Sequence, residues 1–223
     1  YVKYKDENGA PVINEAYCSI LSKILQAQNI LETNSTKTYS KEYYKLTDYG
    51  KDIFFEKCSY SGFKNYYKYS IELIKNQTSL SDKKFGEVFH NVYSTYLKSV
   101  KKNGAKSLIS KHIEGAIIAP ILIYYKYTVP DKIEDLKKIR GEITDFLEKI
   151  NFISQKSLTE KGEYLLSKSY AYGVTDSYMK TFIHIEDLCL NKTKGIAQRI
   201  DKHSNEYHVN RALNVWGSGH SHT

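Results

Sequence analysis

Leu158-Thr-Glu-Lys-Gly-Glu-Tyr-Leu-Leu-Ser-Lys-Ser-Tyr-Ala-Tyr-Gly173 has an earlier counterpart in Leu46-Thr-Asp-Tyr-Gly-Lys-Asp-Ile-Phe-Phe-Glu-Lys-Cys-Ser-Tyr-Ser-Gly62. In both, Leu-Thr-acidic-x-Gly leads into an apolar pair, Phe54-Phe55 or Leu165-Leu166, then an aromatic-Gly segment and a Tyr-rich helix, Tyr66–Leu73 or Tyr178–Leu188. Each copy also follows an amphipathic helix and a short stretch suited to a strand: Ile20–Ile30 with Tyr43–Leu46, and Ile139–Ile150 with Phe152–Leu158. The spacing from Leu-Thr to the aromatic-Gly pair is held within one residue, which favours a duplicated unit over a chance match.

Helix, strand, Leu-Thr-x-x-Gly turn and helix is the order of a winged-helix element. Thr47 and Thr159 suit the turn as N-caps, because a hydroxyl accepts a bond from an orphan amide of the following helix. The expected fold is mainly α, a helical domain with one or two winged-helix-like β-hairpins. The expected division is 1–103 and 104–200 for the two units, with 201–223 a linker toward a catalytic domain.

The 223 residues are 41% hydrophobic and 26% charged, a globular composition. A formal charge of +8 with a pI near 9.1 raises an anionic partner. The stronger explanation is the bias of an AT-rich genome, given the Lys, Tyr, Asn and Ile surplus with one Trp and one Met, and pairs such as Lys101-Lys102 and Lys137-Lys138 suit solvated helix faces. Cys18, Cys58 and Cys189 are odd in number and far apart, so buried thiols in a reducing cytoplasm are expected rather than a disulfide frame or zinc site. The longest apolar run, Gly115–Tyr125, is shorter than the roughly 20 residues a bilayer requires, and reads as a buried helix.

Residues 1–13 are expected to form a turn-rich arm, followed by a helix from Asn14 to near Leu31 with Ala16, Ile20, Leu21, Ile24 and Leu25 inward, and a polar loop or wing over 34–39. Phe85, Val88, Phe89, Val92, Tyr93, Tyr96, Leu97 and Val100 recur at i, i+3, i+4 and i+7 and specify a helix that Asn103-Gly104 stops. His90 beside that stripe reads as packed or at the surface, since no ligand type lies at i+4. The next helix, Ala105–Tyr127, should kink or restart at Pro120. Pro130-Asp131-x-x-Glu134 signals a further helix with Ile133, Leu136, Ile139, Ile143, Phe146, Leu147 and Ile150 inward. Helices are also expected over Asp176–Leu190 and Ile196–Trp216, the latter broken near Ser204-Asn205.

No nucleophile elbow, phosphate-binding loop, HExxH or CxxC pair occurs. Gly217-Ser218-Gly219 lacks a third glycine and reads as a helix stop, and His203, His208, His220 and His222 have no matching carboxylate spacing, so no metal set is assigned. A DNA-reading winged helix is disfavoured because Glu134, Asp135, Glu142, Asp145 and Glu148 crowd the helix before the second wing, where phosphate would be repelled.

Phe146-Leu-Glu-Lys-Ile-Asn-Phe-Ile153, Leu158-Thr-Glu-Lys-Gly162, Tyr172-Gly173 and Ser177-Tyr178 resemble the N-terminal lid or dimerisation region of class I S-adenosylmethionine-dependent methyltransferases. The similarity is greatest to those of polyketide-synthase assembly lines, which methylate carbon of an acyl thioester. His208-Val-Asn-Arg-Ala-Leu-Asn-Val-Trp-Gly-Ser-Gly219 looks like the segment joining such a region to its catalytic domain. The likeness covers about the last third of the chain.

The resemblance implies a helical cap that pairs subunits and closes over substrate but does not catalyse alone, because the acidic-x-Gly-x-Gly-x-Gly loop for the cofactor is absent. It implies S-adenosylmethionine as the parent's cofactor. It places Asn214, Trp216, Gly217, Ser218 and Gly219 toward cofactor or substrate, and His220 or His222 as base or metal ligand. Implied partners are a second copy through the helical region and an acyl carrier or small-molecule substrate, with neither nucleic acid nor membrane. The alternative is a winged-helix transcriptional regulator or protein-interaction module.

Overall fold

The computed structural model describes residues 9, 12–33, 44–55, 61–128, 139, 141–193, 195, 198–199 and 206–220. The arm over 1–13, the loop over 34–39, the Pro130–Glu134 helix start, the Ser204-Asn205 break, Cys58 and His222 therefore lie wholly or largely outside them. Among the described residues the fold is mainly helical with two two-stranded antiparallel sheets. Two compact units form, one from 1–58 with 184–195 and the other from 59–183 with 196–223.

In the first unit, Asn14 caps helix α1 (Glu15–Ala27), its side-chain oxygen accepting from the Tyr17 amide at 3.2 Å. The helix stops at Asn29, whose φ of 57° suits the short amide side chain. Strand β1 (Leu31–Thr33) then pairs with β2 (Tyr44–Leu46), placing Leu31 opposite Leu46 and Glu32 opposite Lys45. Thr47 opens α2 (Asp48–Phe55). A distant segment, α10 (Ile185–Cys189), returns to α1, where the Asn14 amide donates to the Cys189 carbonyl at 2.7 Å. The inward face expected for α1 is not buried: Ile20 is 57% and Ile24 49% exposed.

The second unit is built on α3 (Ser61–Ile74), α4 (Lys83–Asn103) and α5 (Leu108–Ile123). Asp82 caps α4, and Gly104 ends it at φ 82°. The expected stripe buries Phe85, Phe89, Val92, Tyr93 and Tyr96 against Tyr66 of α3, Phe146, and Ile117 and Ile121 of α5. Phe89, Tyr93 and Tyr96 all meet the Phe146 ring, with centroids 5.4–6.0 Å apart. Full burial of one such ring contributes roughly 1.5–3 kcal/mol.

Pro120 neither stops nor restarts α5. The helix runs three residues past it to Ile123 and then passes into a π-helical turn, Tyr124–Thr128. Leu108–Tyr127, 20 residues with mean hydropathy 1.2, is long and apolar enough to cross a membrane, yet 67% of that window is buried inside the protein. It is a core helix.

Helix α6 (Glu142–Lys149) follows Gly141, whose φ of 69° sets the start of that helix. The Phe152–Leu158 stretch is not one strand but a hairpin, β3 (Ile153–Ser154) and β4 (Ser157–Leu158), turning through Gln155 and Lys156 at φ 49° and 63°. Helix α7 (Glu160–Ser167) follows Thr159. The single helix expected over Asp176–Leu190 is instead broken among α8 (Tyr170–Asp176), α9 (Met179–Ile183) and α10. Helix α11 (Arg211–His220) closes the described chain.

Candidate functional site

Each wing is set by the same threonine lock. In the second copy the Thr159 hydroxyl donates to the Asn151 carbonyl at 2.6 Å and accepts from the Gly162 amide at 3.0 Å, while the Thr159 amide donates to the Phe152 carbonyl at 3.1 Å. In the first, Thr47 donates to Asn29 at 2.6 Å, accepts from Gly50 at 2.8 Å, and its amide donates to Ile30 at 3.1 Å. Asn29 and Asn151 share φ 57° and sit four residues after Leu25 and Leu147, whose carbonyls each accept from the residue after the Asn at 2.8 Å. The shared Leu-x-x-x-Asn was readable in the sequence and extends the duplication back into the preceding helix.

Gly50 and Gly162 are required by close approach. A Cβ at either would collide with the carbonyl oxygen of Ile30 or Phe152 and stand 3.2 Å from a leucine methyl, Leu46 or Leu158. The copies differ in the wing, which is a two-residue turn in the second but has residues 34–43 between its strands in the first. They diverge again at the Tyr-rich helix, one continuous element in α3 but two short ones, α9 and α10, in the second copy.

The helix preceding a wing is the one that reads DNA when a winged helix binds it. In the second copy this is α6, whose exposed face carries Glu142, Asp145 and Glu148 against Lys149. His90 lies at the surface and bonds Glu142 through Nδ1 at 2.9 Å, and the Tyr93 hydroxyl donates to Asp145. In the first copy it is α1, with Glu15 and Lys23 as its only charges and Ile20 and Ile24 exposed.

The candidates Asn214, Trp216, Gly217, Ser218, Gly219 and His220 all fall on α11, which packs along α8. Asn214 donates to the Ser177 hydroxyl at 3.1 Å, and the Trp216 ring meets Tyr127 edge-on at 5.2 Å. Gly173 and Gly217 let the two helices touch: a Cβ on Gly217 would stand 2.6 Å from the Val174 amide nitrogen. Ser218 and Gly219 are exposed. Among the described residues no cluster of three or more His, Cys, Asp or Glu side chains comes together.

Beside that packing lies a cavity of about 640 Å³ bounded by the end of α3, the α8–α9 junction and residues 206–215. Its apolar wall is Ile71, Ile74, Met179, Val209 and Leu213, and its charged groups are Lys75, Asp176, Lys180, Glu206 and Arg211. Arg211 and Glu206 pair at 2.9 Å. Asn210 caps α11 by accepting from the Leu213 amide at 3.1 Å, and its own amide donates to the Ser177 carbonyl at 2.9 Å.

Asp176 is 5% exposed, and its Oδ2 has no hydrogen-bond partner among the described residues. Burial holds its carboxyl well above the usual carboxylate range. Burial and the neighbouring Lys75 charge pull the Lys180 ammonium below its ordinary value. Sequence reasoning passed over Asp176, Lys75 and Lys180, since no spacing links position 75 to 176 or 180. The one signal was a carboxylate set in the short apolar helix ending Gly173-Val-Thr-Asp176.

Cys18 and Cys189 are half-buried free thiols rather than buried ones, and the fold brings them together, with Cys18 Sγ 3.8 Å from the Cys189 carbonyl oxygen. Burial first, then Cys18, pushes the Cys189 thiol up.

No curated protein matches the chain. Residues 114–192, about a third of the chain and the span that holds α6, its wing and the second threonine lock, match the family described as the AprA winged helix domain, in keeping with the winged-helix-like hairpin found there.

Proposed function

We propose that the chain is the lid and dimerisation portion of an S-adenosylmethionine-dependent methyltransferase of the polyketide-associated kind, non-catalytic by itself. The observation that carries this is the chemistry of the two helices preceding the wings. One offers three exposed carboxylates against a single ammonium and the other an aliphatic face, neither of which suits a phosphate backbone. Such faces suit protein surfaces, including a second copy or an acyl carrier.

Two further points support the reading. The residues that carry the methyltransferase resemblance, between Phe146 and Tyr178, fall inside the matched winged-helix span. No acidic-x-Gly-x-Gly-x-Gly run occurs in the 223 residues, so cofactor binding would belong to a partner domain. On this proposal Asn214, Trp216 and Gly217 hold α11 on α8, the exposed Ser218 and Gly219 are left for cofactor or substrate, and His220 or His222 would serve as base or metal ligand.

Calorimetric titration of S-adenosylmethionine into this chain, and into a protein carrying it together with a catalytic domain, tests the proposal. Binding by the longer protein alone is expected. Binding by neither, with retardation of duplex DNA by this chain in a low-salt gel, would overturn it in favour of a winged-helix regulator.

A further inference from the structure

A buried carboxyl oxygen without a partner, such as Asp176 Oδ2, is destabilising, and at the wall of a cavity a bound ligand can supply the missing partner. The cavity beside α8 and α11 has three features that together define that ligand's chemistry. Its floor is aliphatic, from Ile71, Ile74, Met179, Val209 and Leu213. Among the described residues its cationic groups outside an ion pair are the two lysines, since Arg211 engages Glu206. The first turn of α11, Asn210 to Leu213, also lines it, and a helix N-terminus favours negative charge.

We propose that this cavity binds an organic anion with a short apolar body, its carboxylate or phosphate head held by Lys75, Lys180, the first turn of α11 and the Asp176 carboxyl. Asp176 fits an anion because burial favours its acid form, whose O–H donates where a carboxylate would repel. Lys180 fits because an anion relieves the repulsion from Lys75. The site rests on the lining of this cavity and is independent of any methyltransferase activity.

The probes are hexanoate, hexyl phosphate, hexylamine and hexanol, each titrated calorimetrically into the 223-residue chain. Saturable binding of at least one anion, with hexylamine and hexanol weaker by about tenfold or more, is expected from charge-assisted hydrogen bonding. The tighter of the two anions identifies the head group. Lys75→Gln with Lys180→Gln should weaken that anion by about tenfold without lowering the melting temperature, because both lysines lie at the cavity rim rather than in the core. Asp176→Asn keeps a donor and should bind the anion within about threefold of wild type, whereas Asp176→Val should lose about tenfold. Preference for hexylamine, absence of saturable binding by either anion, or anion affinity indifferent to the lysine pair would each overturn the proposal. If Asp176→Val fails to fold, the lysine pair and Asp176→Asn still decide it.

Discussion

Replacing Gly162 by alanine tests the threonine lock directly. The new Cβ would collide with the Phe152 carbonyl oxygen, lie 3.1 Å from its carbon and 3.2 Å from a Leu158 methyl. The obstacle is backbone, so no side-chain rotation relieves it. The same carbonyl accepts from the Thr159 amide at 3.1 Å and its hydroxyl at 3.3 Å, so displacing it strains both bonds. Overpacking of about 1–3 kcal/mol and about 1 kcal/mol for a weakened bond give an expected loss of about 2–4 kcal/mol. Urea unfolding followed by the fluorescence of Trp216 reads the second unit, and a lower midpoint at unchanged slope is the expected result. Gly50→Ala, followed by far-ultraviolet circular dichroism, should cost a similar amount because the first lock has the same distances. Gly115→Ala, in α5 with open space around it, serves as control and should be neutral or stabilising by up to about 1 kcal/mol. A Gly162→Ala variant within about 0.5 kcal/mol of wild type would refute the lock.

Three more predictions rest on other contacts. Burial raises the Asp176 carboxyl in the folded chain, so its contribution is complete below its unfolded value and lost as pH rises through the folded one; Asp176→Asn should therefore melt above wild type at pH 7 and no higher near pH 4. Burial first, and then Asp176, raises Tyr67, so the stability this phenol carries is complete below about pH 10 and falls as pH rises further; Tyr67→Phe should flatten the alkaline decline in melting temperature. Gly173→Ala would place a Cβ 2.9 Å from Trp216 Cε3 and 3.0 Å from Gly217 Cα, so α11 should shift, Trp216 emission move to the red and stability drop by about 1–3 kcal/mol. Unchanged emission would mean that the two helices do not pack as described.

Local signals set much of this protein. The Leu-Thr-x-x-Gly turns, the caps at Asn14, Thr47 and Thr159, and the α4 stripe ending at Gly104 act through bonds and burial within a few residues, so composition and period predict them. The duplication was legible for the same reason: each lock uses Leu, Asn, Thr and Gly at positions that two short sequence windows display. Other outcomes needed partners far along the chain. Pro120 stays inside α5, where the residues on both sides of it are buried in the core, an outcome that propensity alone does not foresee. Ile20 and Ile24 form an amphipathic face in sequence, but a periodic pattern specifies a face without specifying what covers it. The meeting of Cys18 with Cys189, and of Lys75 with Asp176 and Lys180, depends on tertiary closure of segments more than a hundred residues apart. Burial, the term that shifts Asp176, exists only once those segments have closed around it.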